Sequence, residues 1–154
     1  MLSFEPATTD QHYEALLQLI YNQKSAYLDP VLDLIDLTQE QFGRYFRSTG
    51  TAYRIYLDKK LAGLCWIIER ECTLVLLGLI VKTEFQGRGI GSQALTWLES
   101  HCSAECQACE LDVYCTNFRA RALYERMGYQ VIQHDTQTGF YTMRKALQKT
   151  VLQV

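Results

Sequence analysis

An apolar run of eight residues, Leu74 to Val81, leads through Lys82-Thr83-Glu84-Phe85 into the segment Gln86-Gly87-Arg88-Gly89-Ile90-Gly91. No other stretch restricts the fold as much. A run of this length suits a strand buried on both faces and falls well short of the ~18 residues of a membrane helix. Beyond it, Ile90, Ala94, Trp97, Leu98 and His101 recur along one helical stripe. Glu110 to Cys115 then alternates as a strand. Strand, helix and strand in this order imply a crossover and a locally parallel pair.

The other segments supply antiparallel neighbours. Leu2 to Pro6 reads as a short strand, and Thr9 or Asp10 caps a helix bearing Tyr13, Leu16, Leu17 and Ile20. Asp29-Pro30 breaks the chain. Thr38 with Gln41 three residues on forms a capping box, ahead of a helix with Phe42, Tyr45 and Phe46 on its apolar face. Tyr53 to Leu57 and Leu61 to Glu69 flank Asp58-Lys59-Lys60 as a hairpin. Asn117 caps a further helix that ends at Met127-Gly128, where glycine suits a left-handed C-terminal cap. Tyr129 to His134 and Phe140 to Arg144 form a last strand pair around Gly139. The expectation is an α/β fold: one mixed, mostly antiparallel sheet with a parallel strand pair and about four flanking helices. No repeat, low-complexity tract or linker divides residues 1–154, so a single domain is expected.

The glycines at 87, 89 and 91 stand between a buried strand and a helix. The first four N–H groups of a helix lack internal partners, and the helix dipole adds partial positive charge there. A loop without β-carbons lets a phosphate approach those groups closely. Ser92 adds a hydroxyl on the first turn, and Arg88 a cation that can point outward. A tight strand-to-helix turn would use the same glycines, so the loop alone leaves phosphate binding and plain turn both open. Asp112 lies about 20 residues on, as a ribose-binding acid would in a dinucleotide fold, but the spacing is G-x-G-x-G, not G-x-G-x-x-G. No Gly-Lys-Ser/Thr comes after the loop, which excludes a P-loop.

Gln86-Gly87-Arg88-Gly89-Ile90-Gly91 resembles the Q/R-x-x-G-x-G/A signature of the GNAT superfamily of acyl-CoA N-acyltransferases. Asn117-Phe118-Arg119-Ala120-Arg121-Ala122-Leu123-Tyr124-Glu125-Arg126-Met127-Gly128-Tyr129 is similar to its second motif, N-x-x-A-x-x-x-Y-x-x-x-G-Y/F. Both motifs stand in the family's order and on the expected elements, and the element order extends the likeness over nearly the whole chain. The resemblance implies a GNAT-like fold with a splayed parallel strand pair. It also implies an N-acetyltransferase that passes the acetyl group of acetyl-CoA directly to a primary amine of a small molecule, peptide or protein.

The same resemblance implies site residues. Backbone N–H groups within Gln86, Gly87, Arg88, Gly89, Ile90, Gly91 and Ser92 would hold the cofactor's pyrophosphate. The main chain of Leu79 and Val81 would pair with pantetheine, and an N–H near Leu79 or Ile80 would polarise the thioester carbonyl. Asn117 would touch pantetheine as well as cap its helix. Tyr124 would assist the leaving thiolate, since a phenol of pKa ~10 can donate to a group near ~8.5. Ala120, Leu123, Tyr124 and Met127 also form a core-like stripe, so periodicity alone would bury this ring. Family members often carry a glutamate early in the strand before the loop, whereas Leu74-Val75-Leu76-Leu77-Gly78 has none. Glu69 is then the nearest candidate base, with Glu71 beside it. The acceptor site, formed in the family by the first two helices and the last hairpin, points to Tyr27, Asp33 and Tyr141. A coenzyme A-binding module without turnover is the alternative.

Charge and cysteine usage bound the partners. Fifteen basic against seventeen acidic residues give a net charge of −2, unlike the basic surplus of nucleic-acid binders. With no signal-like start and no membrane-length apolar run, a cytoplasmic protein is expected, acting as a monomer or homodimer. Cys102, Cys106 and Cys109 beside His101 have irregular spacings and no second ligand pair, so no metal is expected.

Overall fold

The structure, a computed structural model, describes residues 1–23 and 28–148. The strands are β1 (Leu2–Pro6), β2 (Thr51–Leu57), β3 (Lys60–Arg70), β4 (Thr73–Val81), β5 (Ala108–Tyr114), β6 (Gln130–Asp135) and β7 (Phe140–Ala146). They form one sheet in the order β1-β2-β3-β4-β5-β7-β6, in which only β4 and β5 run parallel. The helices are α1 (Asp10–Asn22), α2 (Leu28–Ile35), α3 (Gln39–Ser48), α4 (Ile90–His101) and α5 (Phe118–Arg126). No helix among the described residues is long and apolar enough to cross a membrane.

Local chemistry accounts for most element ends. The Thr9 hydroxyl accepts from the His12 N–H at 3.2 Å, while the His12 ring accepts from the Thr9 N–H at 3.3 Å. Histidine thus takes the part usually given to Glu or Gln in a capping box. Thr38 and Gln41 form the box expected from sequence, at 3.2 and 2.8 Å. The β2–β3 turn has Asp58 and Lys59 both at positive φ, a geometry that matches the twist of the flanking strands.

One expectation needs correction. Asp29-Pro30 does not interrupt helical structure; it lies in the first turn of α2, a fifth helix. Proline is tolerated there because the first N–H groups of a helix have no internal acceptor to lose.

Two cores flank the sheet. On one face α4 and α5 pack Ile90, Leu95, Leu98 and Tyr124 against Leu74, Leu76, Leu111 and Met143. On the other, α1 and α3 pack Leu16, Ile20, Phe42 and Phe46 against Ala52, Leu64, Trp66 and Ile80. The second core engages strands β2 to β4 only, so the opposite half of that face, on β5 and β7, stays open.

Candidate active site

The site begins where β4 and β5 part. Their pairing spans Thr73 to Leu76 against Ala108 to Leu111 and then stops, while β4 runs on to Val81. Along β3 the partner of Trp66 is Gly78 and that of Ile67 is Leu76, which places a β-bulge at Leu77. A bulge adds one residue to one strand and re-aims the side chains beyond it. Leu74 and Leu76 accordingly face α4 before it and Leu79 and Val81 after it, whereas Leu77 and Ile80 face the other core.

Main-chain direction is set by the ladder. The Lys82 N–H donates to the Ala62 carbonyl at 2.8 Å. Polar groups alternate in direction along a strand, so those of Ile80 point toward β3 and those of Leu79 and Val81 toward the gap. The Gln86 side-chain amide, donating to the Val81 carbonyl at 3.0 Å, marks the same orientation. Leu79 and Val81 therefore offer a length of strand edge to an extended guest.

The gap leads to the glycine loop. Gly87 and Gly89 have φ of 79° and 77°, which side chains strongly disfavour, and Gly89 caps α4 without any side-chain hydrogen bond. A β-carbon at Gly87 would meet nothing within 4 Å, and one at Gly89 only the end of Gln93 at 3.9 Å. These glycines thus border open space, and the first N–H groups of α4 open onto it. A cavity of about 560 Å³ runs along this path, bounded by Leu79, Val81, Gln86, Gly89, Ser92 and Leu123. A backbone cradle of this kind at a helix N-terminus fits a diphosphate.

A second cavity, about 770 Å³, lies beyond the splay on the open face of β5 and β7. Leu37, Tyr45 and Trp66 wall one side, and Glu110, Asp112, Tyr114, Phe140 and Thr142 the other. The two cavities share Leu79, Asn117, Ala120 and Tyr124, so they meet in the gap. Asn117 caps α5, its Oδ1 accepting from the Ala120 N–H at 3.3 Å. Tyr124 is 7% exposed and sits edge-on to Tyr129 with centroids 5.9 Å apart. Burial, reinforced by the Cys109 thiol, pushes its phenol well above the usual tyrosine range, so the hydroxyl stays protonated.

The model of the acetyltransferase (GNAT) family matches residues 13–129, more than half of the chain. The chain belongs to the GNAT acetyltransferase family. Members of this family use acetyl-CoA. A sequence search among curated proteins finds no match. Among solved structures, the ribosomal-protein-S18-alanine N-acetyltransferase of Escherichia coli is similar, with a TM-score of 0.73 at 16% identity, covering 100% of this chain and 99% of its own. The spermidine N-acetyltransferase of Vibrio cholerae, solved with CoA and spermine, has a TM-score of 0.73 at 16% identity, with 96% of each chain covered. The PaiA N-acetyltransferase of Thermoplasma acidophilum, solved with coenzyme A, has a TM-score of 0.69 at 18% identity, covering 94% of this chain and 99% of its own. At these identities the likeness is one of fold.

In this GNAT chain the structure brings most of the sequence-predicted cofactor residues together. Leu79, Ile80, Val81, Gln86, Gly87, Gly89, Ile90, Gly91, Ser92, Asn117 and Tyr124 all line the smaller cavity. Arg88 does not: it is exposed, with its guanidinium 5.5 Å from the Phe85 ring. Gln23, outside both motifs, and Arg119 and Arg126, at variable positions of the second, also line the cleft. Arg119 and Arg126 are seven apart on α5, a helical spacing that could have flagged them.

The predicted acceptor and base residues are placed elsewhere. Tyr27 lies outside the described residues. Asp33 is exposed on α2 and does not line the larger cavity, whereas Leu34 and Leu37 do. Tyr141 pairs with Val113, whose side chain belongs to the α4–α5 core, and Arg121 covers its ring at 4.3 Å. Alternation along β7 turns Phe140 and Thr142, not Tyr141, toward the cavity. Glu69 lines neither cavity. Its carboxylate accepts from the Ser103 N–H at 3.1 Å and the Cys106 thiol at 2.8 Å, tying the α4–β5 connection to the end of β3.

Among the described residues no group of three or more His, Cys, Asp or Glu side chains could hold a metal ion. Burial pushes the thiols of Cys65, Cys106 and Cys109 up to about 12, and no described cysteine lines either cavity.

Proposed function

We propose that the chain transfers the acetyl group of acetyl-CoA directly to a primary amine of a small molecule or peptide. The observation that carries this reading is the meeting of the two cavities at Tyr124. A cleft fit for an extended, diphosphate-bearing guest and a separate side-chain-walled pocket open onto the same buried phenol.

Acetyl-CoA supplies an activated thioester whose leaving thiolate belongs to a group of pKa ~8.5. The chain's residues do the rest. N–H groups at the start of α4 hold the diphosphate, and the edge of β4 at Leu79 and Val81 aligns the arm beyond it. Of the two donors the sequence offered, the Ile80 N–H points toward β3, so the Leu79 N–H, on the gap side, stabilises charge on the carbonyl oxygen. A fixed donor serves best there because it needs no reorganisation. The Tyr124 hydroxyl, kept protonated by burial, donates toward the departing sulfur. An acceptor ammonium has pKa ~10.4 and must lose a proton before it attacks. The larger cavity opens to solvent at exposed Asp112, which gives that proton a way out. Transfer through an acyl-cysteine finds no support, since a protonated buried thiol is a poor nucleophile and none lies at the site.

Thiol release measured with acetyl-CoA and a panel of primary amines tests the reading. Amine-dependent release supports it. Tight coenzyme A binding with no release for any amine would make the chain a binding module instead.

A further inference from the structure

The larger cavity narrows the choice of amine, an inference that rests on the transferase reading. Its walls carry rings held in place by edge-on contacts, Tyr45 with Trp66 at 5.6 Å and Tyr114 with Phe140 at 5.2 Å between centroids. Charge on its lining comes from β5, through Glu110 and Asp112. These two carboxylates are not equivalent. Arg144 donates to Glu110 at 2.8 Å and cancels its charge. Asp112 accepts from a neutral group, the Thr142 hydroxyl, at 2.7 Å. No cation among the described residues lies within ion-pair distance of it.

Register places Asp112 at the decisive level. Leu111 is the last β5 residue paired to β4, and Asp112 comes next, where the strands part. Asp112 lines the larger cavity at the level where the strands part. Glu110, level with Val75, lies back along the paired segment.

We propose that Asp112 draws in the acceptor as its ammonium and that the surrounding rings select a primary monoamine carried on an aromatic or apolar body. The ammonium gives its proton to solvent at the open side of the cavity before the neutral amine attacks the thioester carbonyl. A second ammonium, as in a polyamine, would find Glu110 already paired with Arg144 and no further carboxylate on the lining. A peptide would need a partner for each buried main-chain amide, and the uncharged lining offers only Asn117, Thr142 and the hydroxyls of Tyr45, Tyr114 and Tyr124. A single charged head on an apolar body matches one uncompensated carboxylate among rings.

The test compares phenethylamine, hexylamine, spermidine and a short peptide with a free N-terminus, each with acetyl-CoA. The two monoamines are expected to exceed the others in kcat/KM by ~10-fold or more, the scale of one charge-assisted hydrogen bond plus ring burial. Asp112→Asn is expected to raise KM for phenethylamine roughly 10- to 100-fold, with KM for acetyl-CoA unchanged. Calorimetry of phenethylamine on protein saturated with coenzyme A should show binding that Asp112→Asn abolishes. Preference for spermidine or the peptide, or an unchanged amine KM in Asp112→Asn, overturns the inference and leaves the transferase reading standing. Absence of thiol release with every amine overturns that reading, while loss of phenethylamine binding in Asp112→Asn would still uphold Asp112 as the amine anchor.

Discussion

The two cavities that meet at Tyr124 are made of different material. The smaller cleft has one wall of main chain, the free edge of β4 and the first turn of α4, approached over glycines that leave open space, and faces the side chains of α5 across it. The acceptor cavity is walled by side chains from α2, α3, β3, β4, β5, α5 and β7. Backbone groups are the same whatever the residue, so the cleft demands mainly that certain side chains be missing. Apart from the shared Leu79, Asn117, Ala120 and Tyr124, the wall residues of the larger cavity can change without touching the cleft. One fold can thus keep its cofactor while its acceptor varies.

The contrast breaks most sharply at the cradle. Valine in place of Gly89 would have to hold φ near 77°, a strained state for a β-branched residue, and would fill the space above the α4 N-terminus. Gly89→Val is expected to weaken coenzyme A binding more than ~100-fold by calorimetry, since both strain and blocked N–H groups oppose the ligand. Circular dichroism should remain that of the folded chain. Unchanged affinity would mean that the diphosphate is held elsewhere.

Next in size is the shared wall. Tyr124→Phe should lower kcat by ~100-fold, the scale of a positioned proton donor, with the dissociation constant for coenzyme A within about twofold. A pKa raised by burial keeps the neutral, donating form present above pH 10. Activity should therefore rise with pH as the amine loses its proton, without a falling limb from this phenol below pH 10. A falling limb that disappears in the phenylalanine variant would contradict the burial argument. On the acceptor side the expected effect is smaller. Tyr45→Ala removes one ring, 38% exposed, and should raise KM for an apolar amine by roughly 5- to 10-fold while leaving coenzyme A affinity alone.

The same contrast explains what could be read from the chain. The glycine spacing and the Asn117-to-Tyr129 segment carry their meaning locally, so the cleft and the strand–helix–strand order were legible at once. The larger cavity depends on which face of a strand a residue presents: Tyr141, expected from the family resemblance, lies against the α4–α5 core, while Phe140 and Thr142 line the cavity. Asp112 drew notice only as a ribose-binding acid, although Glu110, Asp112 and Tyr114 alternate and share a face. The bulge at Leu77 leaves no signature in an apolar run, yet it sets the side chains around the gap. Proline both stops helices and opens them, so Pro30 by itself does not reveal that it stands in the first turn of α2.

Glu69 supplies the smallest expected effect and a control for the contrast, because it lies outside both cavities. Its partners are the Ser103 N–H and the Cys106 thiol, which makes it a clamp on the α4–β5 connection. Glu69→Gln keeps one acceptor oxygen but loses the charge, so about 1 kcal/mol of stability should go, with a fall in Tm of ~3 °C by calorimetry. Thiol-release kinetics should give kcat and both KM values within about twofold of the unsubstituted enzyme. A drop in kcat of tenfold or more at unchanged Tm would return Glu69 to the role of base, and would mean that catalysis reaches beyond the residues lining the two cavities.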